Sequence, residues 1–128
     1  MARDKGTEQK SILIVEDDEA IRRLLHRILE DSGFHVVSTR DAEHAVKASA
    51  RFEGPIHLLI TDLVLPGRCG RLLAEDLSDK RPELRILYMS GYALSNIDEF
   101  YLPPIHSPYV QKPFTPAQIL REVRRVLR

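Results

Sequence analysis

Hydrophobic positions along the chain change period repeatedly, and the changes mark out the elements. Ile12-Leu13-Ile14-Val15 is a continuous apolar run, the pattern of a short strand covered on both faces. Behind it Ile21, Leu24, Leu25, Ile28 and Leu29 recur at helical spacing, with Asp18 placed to cap the helix and Gly33 to stop it. His35 to Thr39 reads as a second strand. Asp41 caps a second helix that turns Ala42, Ala45 and Val46 inward, and Ile56 to Thr61 makes a third strand. Pro66-Gly67 breaks the chain, Leu73, Ala74 and Leu77 mark a third helix, and Leu84 to Met89 a fourth strand. Tyr109-Val110-Gln111 is the fifth strand. Thr115 and Pro116 then open a last helix carrying Ile119, Leu120, Val123, Val126 and Leu127 on one face.

Strands alternating with helices predict an α/β fold with a parallel sheet, wound by right-handed crossovers, whose sites lie outside the carboxyl ends of the strands. Glu16 and Asp17 follow the first strand, Asp62 the third, Ser90 the fourth and Lys112 the fifth. All five are expected at one edge. Leu102 to Pro108 holds three prolines where a fourth helix would stand, so that helix is expected to be short or irregular.

Composition narrows the setting. At 128 residues the chain is the size of one domain. Lysine plus arginine equals aspartate plus glutamate at 19 each, so no overall field points to direct nucleic-acid or membrane binding. The single cysteine, Cys69, makes no internal disulfide, and no signal-peptide or membrane-length apolar run is present. A reducing, cytoplasmic setting is expected. Residues 1–10 are charged and aperiodic and read as a flexible leader to a domain over 11–128, with no effector domain expected after the last helical pattern.

Three carboxylates at one strand edge repel one another. A like-charge pair at ~4 Å costs roughly 1 kcal/mol in water and about 4 at the effective dielectric of a protein surface. A hard divalent cation offsets this with oxygen ligands, and Mg²⁺ takes one or two carboxylates, keeps waters and leaves room for a phosphate oxygen. Lys112 supplies fixed positive charge, and the Ser90 hydroxyl can reach a phosphate oxygen. A carboxylate in that company can attack a phosphoryl group in line. The residues alone do not choose which acid is the nucleophile. The plainer reading, helix capping and dipole compensation, suits Asp18 or Glu19 better than Glu16 and Asp17.

Four stretches, in order, resemble the receiver domain of bacterial response regulators and hybrid histidine kinases, across Ser11 to Arg128. They are Ile-Leu-Ile-Val-Glu16-Asp17-Asp18-Glu19, Thr61-Asp62-Leu-Val-Leu-Pro66-Gly67-Arg-Cys-Gly70, Met89-Ser90-Gly91-Tyr92 and Gln111-Lys112-Pro113-Phe114. The wording of the last two is similar to receivers fused to hybrid kinases, so the chain is open to being one excised from a longer protein. The resemblance implies a doubly wound five-stranded parallel sheet in the flavodoxin-like order 2-1-3-4-5, with helices on both faces. It implies that Asp62 is phosphorylated and that Glu16, Asp17, Asp62 and the Val64 backbone carbonyl hold Mg²⁺. Ser90 and Lys112 would bind phosphoryl oxygens, Tyr109 would be the aromatic that turns when the domain switches, and Lys112-Pro113 is a candidate cis bond.

The same resemblance implies a histidine kinase or phosphotransfer protein as phosphodonor, with the output partner unknown and a homodimer open. The domain is not expected to be an enzyme beyond its own phosphorylation and dephosphorylation. The family's usual output face, the fourth and fifth helices, is put in doubt by the short proline-rich segment. The family uses the residues two after the phosphoacceptor and two after the serine to orient hydrolytic water; here they are Val64 and Tyr92, which implies a long-lived phosphoaspartate. Two rival functions remain. An aspartyl-phosphate phosphatase would want a second acid at position 64, where valine stands. A non-phosphorylated interaction scaffold would not need the full acidic set. Cys69 and the five histidines show no ligand spacing, and Arg121, Arg124, Arg125 and Arg128 read as the solvated face of the last helix.

Overall fold

The computed structural model describes residues 9–128, so most of the expected leader lies outside the described residues. Gln9 and Lys10 are exposed but already tied down: Gln9 Nε2 donates to the Gly33 carbonyl at 3.0 Å, and the His35 N–H donates to the Lys10 carbonyl at 2.9 Å.

The main sheet is built from β1 (Ser11–Val15), β2 (His35–Thr39), β3 (Leu58–Asp62), β6 (Arg85–Ser90) and β7 (Tyr109–Gln111). Its order is β2-β1-β3-β6-β7 with every pair parallel, the flavodoxin-like order counted over these five strands. Every residue of β1 and β3 is buried, because central strands are covered on both faces and alternate side chains feed both. Leu13, Val15 and Leu59 enter one core with α2 (Ala42–Arg51) and α3 (Gly70–Lys80). Ile12, Ile14, Leu58 and Ile60 enter the other with α1 (Glu19–Asp31) and α4 (Pro116–Leu127).

Capping explains where the helices begin. Asp18 accepts from the Ile21 N–H and Asp41 from the His44 N–H, while Thr115 and Gln118 close a reciprocal capping box ahead of Pro116. Several features depart from the pattern read in the sequence, among them Ser90, which ends β6 (Arg85–Ser90) instead of following it. Leu24 is 47 % exposed: the buried stripe of α1 centres on Leu25 and Leu29, and a residue one position away lies a hundred degrees or so around the helix. β3 begins at Leu58, not Ile56, so Asp62 ends the strand instead of following it. The Pro66-Gly67 break is the turn of a small antiparallel hairpin, β4 (Val64–Leu65) with β5 (Arg68–Cys69), and Gly67 turns it at φ 69.

The proline-rich segment contains no α-helix. Two 3-10 turns, Leu94–Asn96 and Glu99–Tyr101, take the place of a crossover helix, in line with the short or irregular element expected there. Arg71 of α3 holds the second turn, donating to the carbonyls of Phe100 at 2.8 Å and Leu102 at 3.1 Å. No helix of the described residues is long and apolar enough to cross a membrane.

Candidate functional site

β1 delivers Glu16 and Asp17 to the carboxyl edge of the sheet, β3 ends on Asp62, β6 ends on Ser90, and Lys112 follows β7. Ligand oxygens of Glu16, Asp17 and Asp62 lie within 4.8 Å of one another. Glu16 is 1 % exposed and Asp62 4 %, whereas Asp17 faces solvent. Lys112 bridges the buried pair, its Nζ 2.5 Å from Glu16 Oε1 and 2.6 Å from Asp62 Oδ1. Neither oxygen receives a well-directed hydrogen bond, so the ammonium meets both as a point charge.

The backbone holds this corner closely. The Glu16 N–H donates to the Thr39 carbonyl at 3.0 Å. The Asp18 N–H donates to Glu16 Oε2 at 3.0 Å. The Leu63 N–H donates to the Met89 carbonyl at 2.8 Å, and the Lys112 N–H to the Ser90 carbonyl at 2.8 Å. Arg22 Nη1 reaches back from α1 to the Glu16 carbonyl at 2.9 Å. The Lys112-Pro113 bond is cis, as the motif resemblance implies.

Two unequal pulls act on protonation. Burial pushes the Asp62 carboxyl up to about 8, the neighbouring Glu16 carboxyl adds to the rise, and Lys112 opposes it. Burial alone would lower the Lys112 pKa, but the carboxylates of Asp62 and Glu16 outweigh it and hold the ammonium above its ordinary value. A carboxyl that keeps its proton at neutral pH beside a second acid marks a corner short of positive charge. Two buried oxygens without directed donors and a third, solvent-facing carboxylate form a hard oxygen set that suits Mg²⁺ with several retained waters.

Ser90 and Tyr109 both bind the backbone of one residue, Tyr92. Ser90 Oγ accepts from the Tyr92 N–H at 2.9 Å, and the Tyr109 hydroxyl donates to the Tyr92 carbonyl at 2.5 Å. Val64 lies in β4, two residues past Asp62, with a 42 % exposed side chain. A cavity of about 440 Å³ lined by Ile21, Leu24, Gly91, Lys112, Pro113 and Phe114 borders the lysine. A larger one of about 540 Å³ lies away from it, between the start of α2 and the β4–β5 turn, and gathers none of these groups.

A sequence profile described as the response regulator receiver domain matches residues 12–124. The chain belongs to the response regulator receiver family. Receivers are the phosphoacceptor signalling domains of two-component systems. Among relatives, the response regulator receiver protein CpdR of Brucella abortus is 31 % identical over 118 residues, 92 % of this chain and 97 % of that protein. The protein PetR of Rhodobacter capsulatus is 35 % identical over 118 residues, 91 % of this chain, which spans only 48 % of PetR's length. Of solved structures, the receiver domain of the hybrid histidine kinase CckA is 26 % identical with a TM-score of 0.77, over 92 % of this chain and 99 % of that one. The response regulator TrrA of Thermotoga maritima, solved in complex with Mg²⁺ and BeF, is 27 % identical with a TM-score of 0.74, over 93 % of this chain and all of TrrA.

Glu16, Asp17, Asp62, Ser90 and Lys112 lie at the one strand edge, with the three acids grouped and Lys112 on two of them, while Val64 lies in the β4–β5 hairpin and Tyr109 begins β7. Arg22 carries no signal in the sequence, because an arginine on a predicted helix does not show that it folds back to a strand-end carbonyl. The unequal burial of Glu16 and Asp17 was equally invisible in an acidic run.

Proposed function

We propose that this receiver takes a phosphoryl group onto Asp62 from a phosphohistidine of a histidine kinase or phosphotransfer protein, and that Mg²⁺ held by Glu16, Asp17, Asp62 and the Val64 carbonyl assists the transfer. The observation that carries the reading is the position of Asp62: buried at a strand end, with Lys112 on one of its oxygens and two further acids within a cation's reach. TrrA, solved with Mg²⁺ and BeF, supports the choice of metal.

In the transfer an Asp62 carboxylate oxygen forms the new bond to phosphorus as the phosphorus–nitrogen bond to the donor imidazole breaks, its electron pair leaving with the ring nitrogen. A cation held by these residues would supply charge neutralisation for the transferring group. Lys112 neutralises a phosphoryl oxygen from a fixed position, and the Ser90 hydroxyl becomes a donor once it leaves the Tyr92 N–H. That exchange frees the Tyr92 N–H, and since the Tyr109 hydroxyl is bonded to the carbonyl of the same residue, the loop and the aromatic ring move with the serine. The added charge of about −1.5 to −2 selects a form of the domain already sampled at ~0.1–10 %. The domain acts on itself alone, with no other substrate to turn over.

Incubation with MgCl₂ and acetyl phosphate, followed by intact mass measurement, tests the reading. Wild type gains one phosphoryl group, and Asp62→Ala gains none. An equal gain in both proteins would rule out Asp62 as the acceptor.

A further inference from the structure

Arg22 sits one turn inside α1. Its own N–H closes the first helical bond to the Asp18 carbonyl at 2.9 Å, while its Nη1 donates to the Glu16 carbonyl at 2.9 Å. That carbonyl belongs to the peptide joining Glu16 to Asp17, and the plane of this peptide sets the direction in which Asp17 leaves the strand. The Glu16 side chain has other restraints, the Asp18 N–H on one carboxylate oxygen and Lys112 on the other. The Asp17 carboxylate accepts no protein hydrogen bond among the described residues and faces solvent, so its position depends on the backbone beneath it.

We propose that Arg22 is a positioning residue for the divalent cation: it locks the Glu16–Asp17 peptide so that the exposed Asp17 carboxylate and the buried Glu16 and Asp62 carboxylates converge. The assignment rests on those three acids being the cation's ligands. A charge-assisted bond from a guanidinium to a carbonyl is strong enough to hold one peptide orientation, and partners behind a metal's direct ligands are worth about tenfold or more in metal affinity.

The test is calorimetric titration of the protein with MgCl₂, comparing wild type, Arg22→Lys and Arg22→Ala, with thermal melting in EDTA recorded for each. Arg22→Ala is expected to bind Mg²⁺ about tenfold more weakly, and Arg22→Lys, which keeps a cationic donor, to fall between the two. Phosphorylation by acetyl phosphate should then slow in Arg22→Ala at low Mg²⁺ and recover as Mg²⁺ is raised. A lower melting temperature with unchanged Mg²⁺ affinity would overturn the assignment, as would a slow rate that Mg²⁺ does not restore. If Arg22→Ala fails to fold, Arg22→Gln replaces it, and an affinity equal to wild type again overturns the proposal. Wild-type protein that binds no Mg²⁺ would instead refute the ligand set under which Arg22 was assigned.

Discussion

Gly70 packs against the backbone of Asp62, with no room for a side chain between them. A Cβ on Gly70 would fall far inside contact distance of the Asp62 carbonyl oxygen, and the Gly70 N–H already donates to the Leu63 carbonyl at 2.7 Å. The position demands glycine for space, since its φ is not among the positive ones. Replacing it with alanine must displace β3's last residue or the start of α3, both backbone. Gly70→Ala is therefore expected to lose about 1–3 kcal/mol of stability in urea unfolding, in the range of overpacked sites, and to weaken Mg²⁺ binding with it. Unchanged stability and affinity would show that the hairpin absorbs the methyl freely.

The proton on Asp62 predicts a pH dependence with a definite sign. The carboxyl has an ordinary value of 3.8 and is pushed up to about 8 in the metal-free fold. Between those values the unfolded chain has released a proton that the folded chain keeps. Protonation there favours the fold, so this contribution is fully present below about 3.8 and is lost as pH rises towards about 8. One proton is worth at most about 1.4 kcal/mol per pH unit. In EDTA, the stability of wild type relative to Asp62→Asn should fall from pH 5 to pH 8, and saturating Mg²⁺, which competes with the proton, should flatten the difference. A relative stability that climbs over this window would contradict the protonated state.

Lys112 is the only cation touching the two buried acids, a statement that holds among the described residues. Lys112→Met keeps much of the apolar stem and removes the charge. Breaking a buried ion pair by taking one partner costs about 3–5 kcal/mol, and here two acids lose the same partner. The variant should be strongly destabilised at pH 8 in EDTA and recover substantially at pH 5, where the proton on Asp62 removes one of the two charges, or on adding Mg²⁺. Recovery by neither would mean that the loss comes from packing of the stem. Its phosphorylation should stay slow even at saturating Mg²⁺.

How much of this was legible in the sequence follows from what each signal depends on. The β1 run Ile12 to Val15, the caps Asp18 and Asp41, and the Thr115-Pro116 opening of the last helix are local, and they fall where the pattern puts them. Convergence of Glu16, Asp62 and Lys112 was legible because a parallel sheet brings all its carboxyl ends to one side. Three things depend on tertiary contact instead. Gly70 looks like any helix-entry glycine until the Asp62 carbonyl is found above it. Arg22 looks like a surface arginine until its side chain turns back to the strand. The segment from 93 to 108 announced through its prolines that it would not be regular, but not that Arg71 would hold it.

Arg81, far from the site, predicts a separation of stability from function. From the end of α3 it donates to the carbonyls of Ser49, Phe52 and Gly54 and to the Ser49 hydroxyl, at 2.8 to 3.0 Å. It thereby satisfies carbonyls at the C-terminal end of α2, which helix geometry leaves without partners. Arg81→Ala is expected to cost about 2–3 kcal/mol in unfolding free energy, the scale of losing a charged donor to partly buried acceptors. Calorimetry should find Mg²⁺ affinity unchanged, since these groups lie at the opposite ends of the strands. Reduced affinity in a still-folded variant would mean that α2 communicates with the acidic corner.

Lifetime of the phosphoryl group turns on two side chains, Val64 and Tyr92. Hydrolysis needs a water in line behind phosphorus and something polar to orient it. Val64 and Tyr92 occupy the positions the family uses for that purpose, and both are well exposed, at 42 % and 64 %. An isopropyl group offers no hydrogen bond, and Tyr92, whose backbone is engaged by Ser90 and Tyr109, brings a bulky ring to its position in place of a small polar side chain. Phosphorylated wild type, followed by intact mass after the phosphodonor is removed, should therefore decay slowly. Val64→Asn should decay faster, because a side-chain amide there can hold the attacking water. Rapid decay of wild type, left unchanged by the substitution, would mean that water reaches phosphorus by a route that neither residue guards.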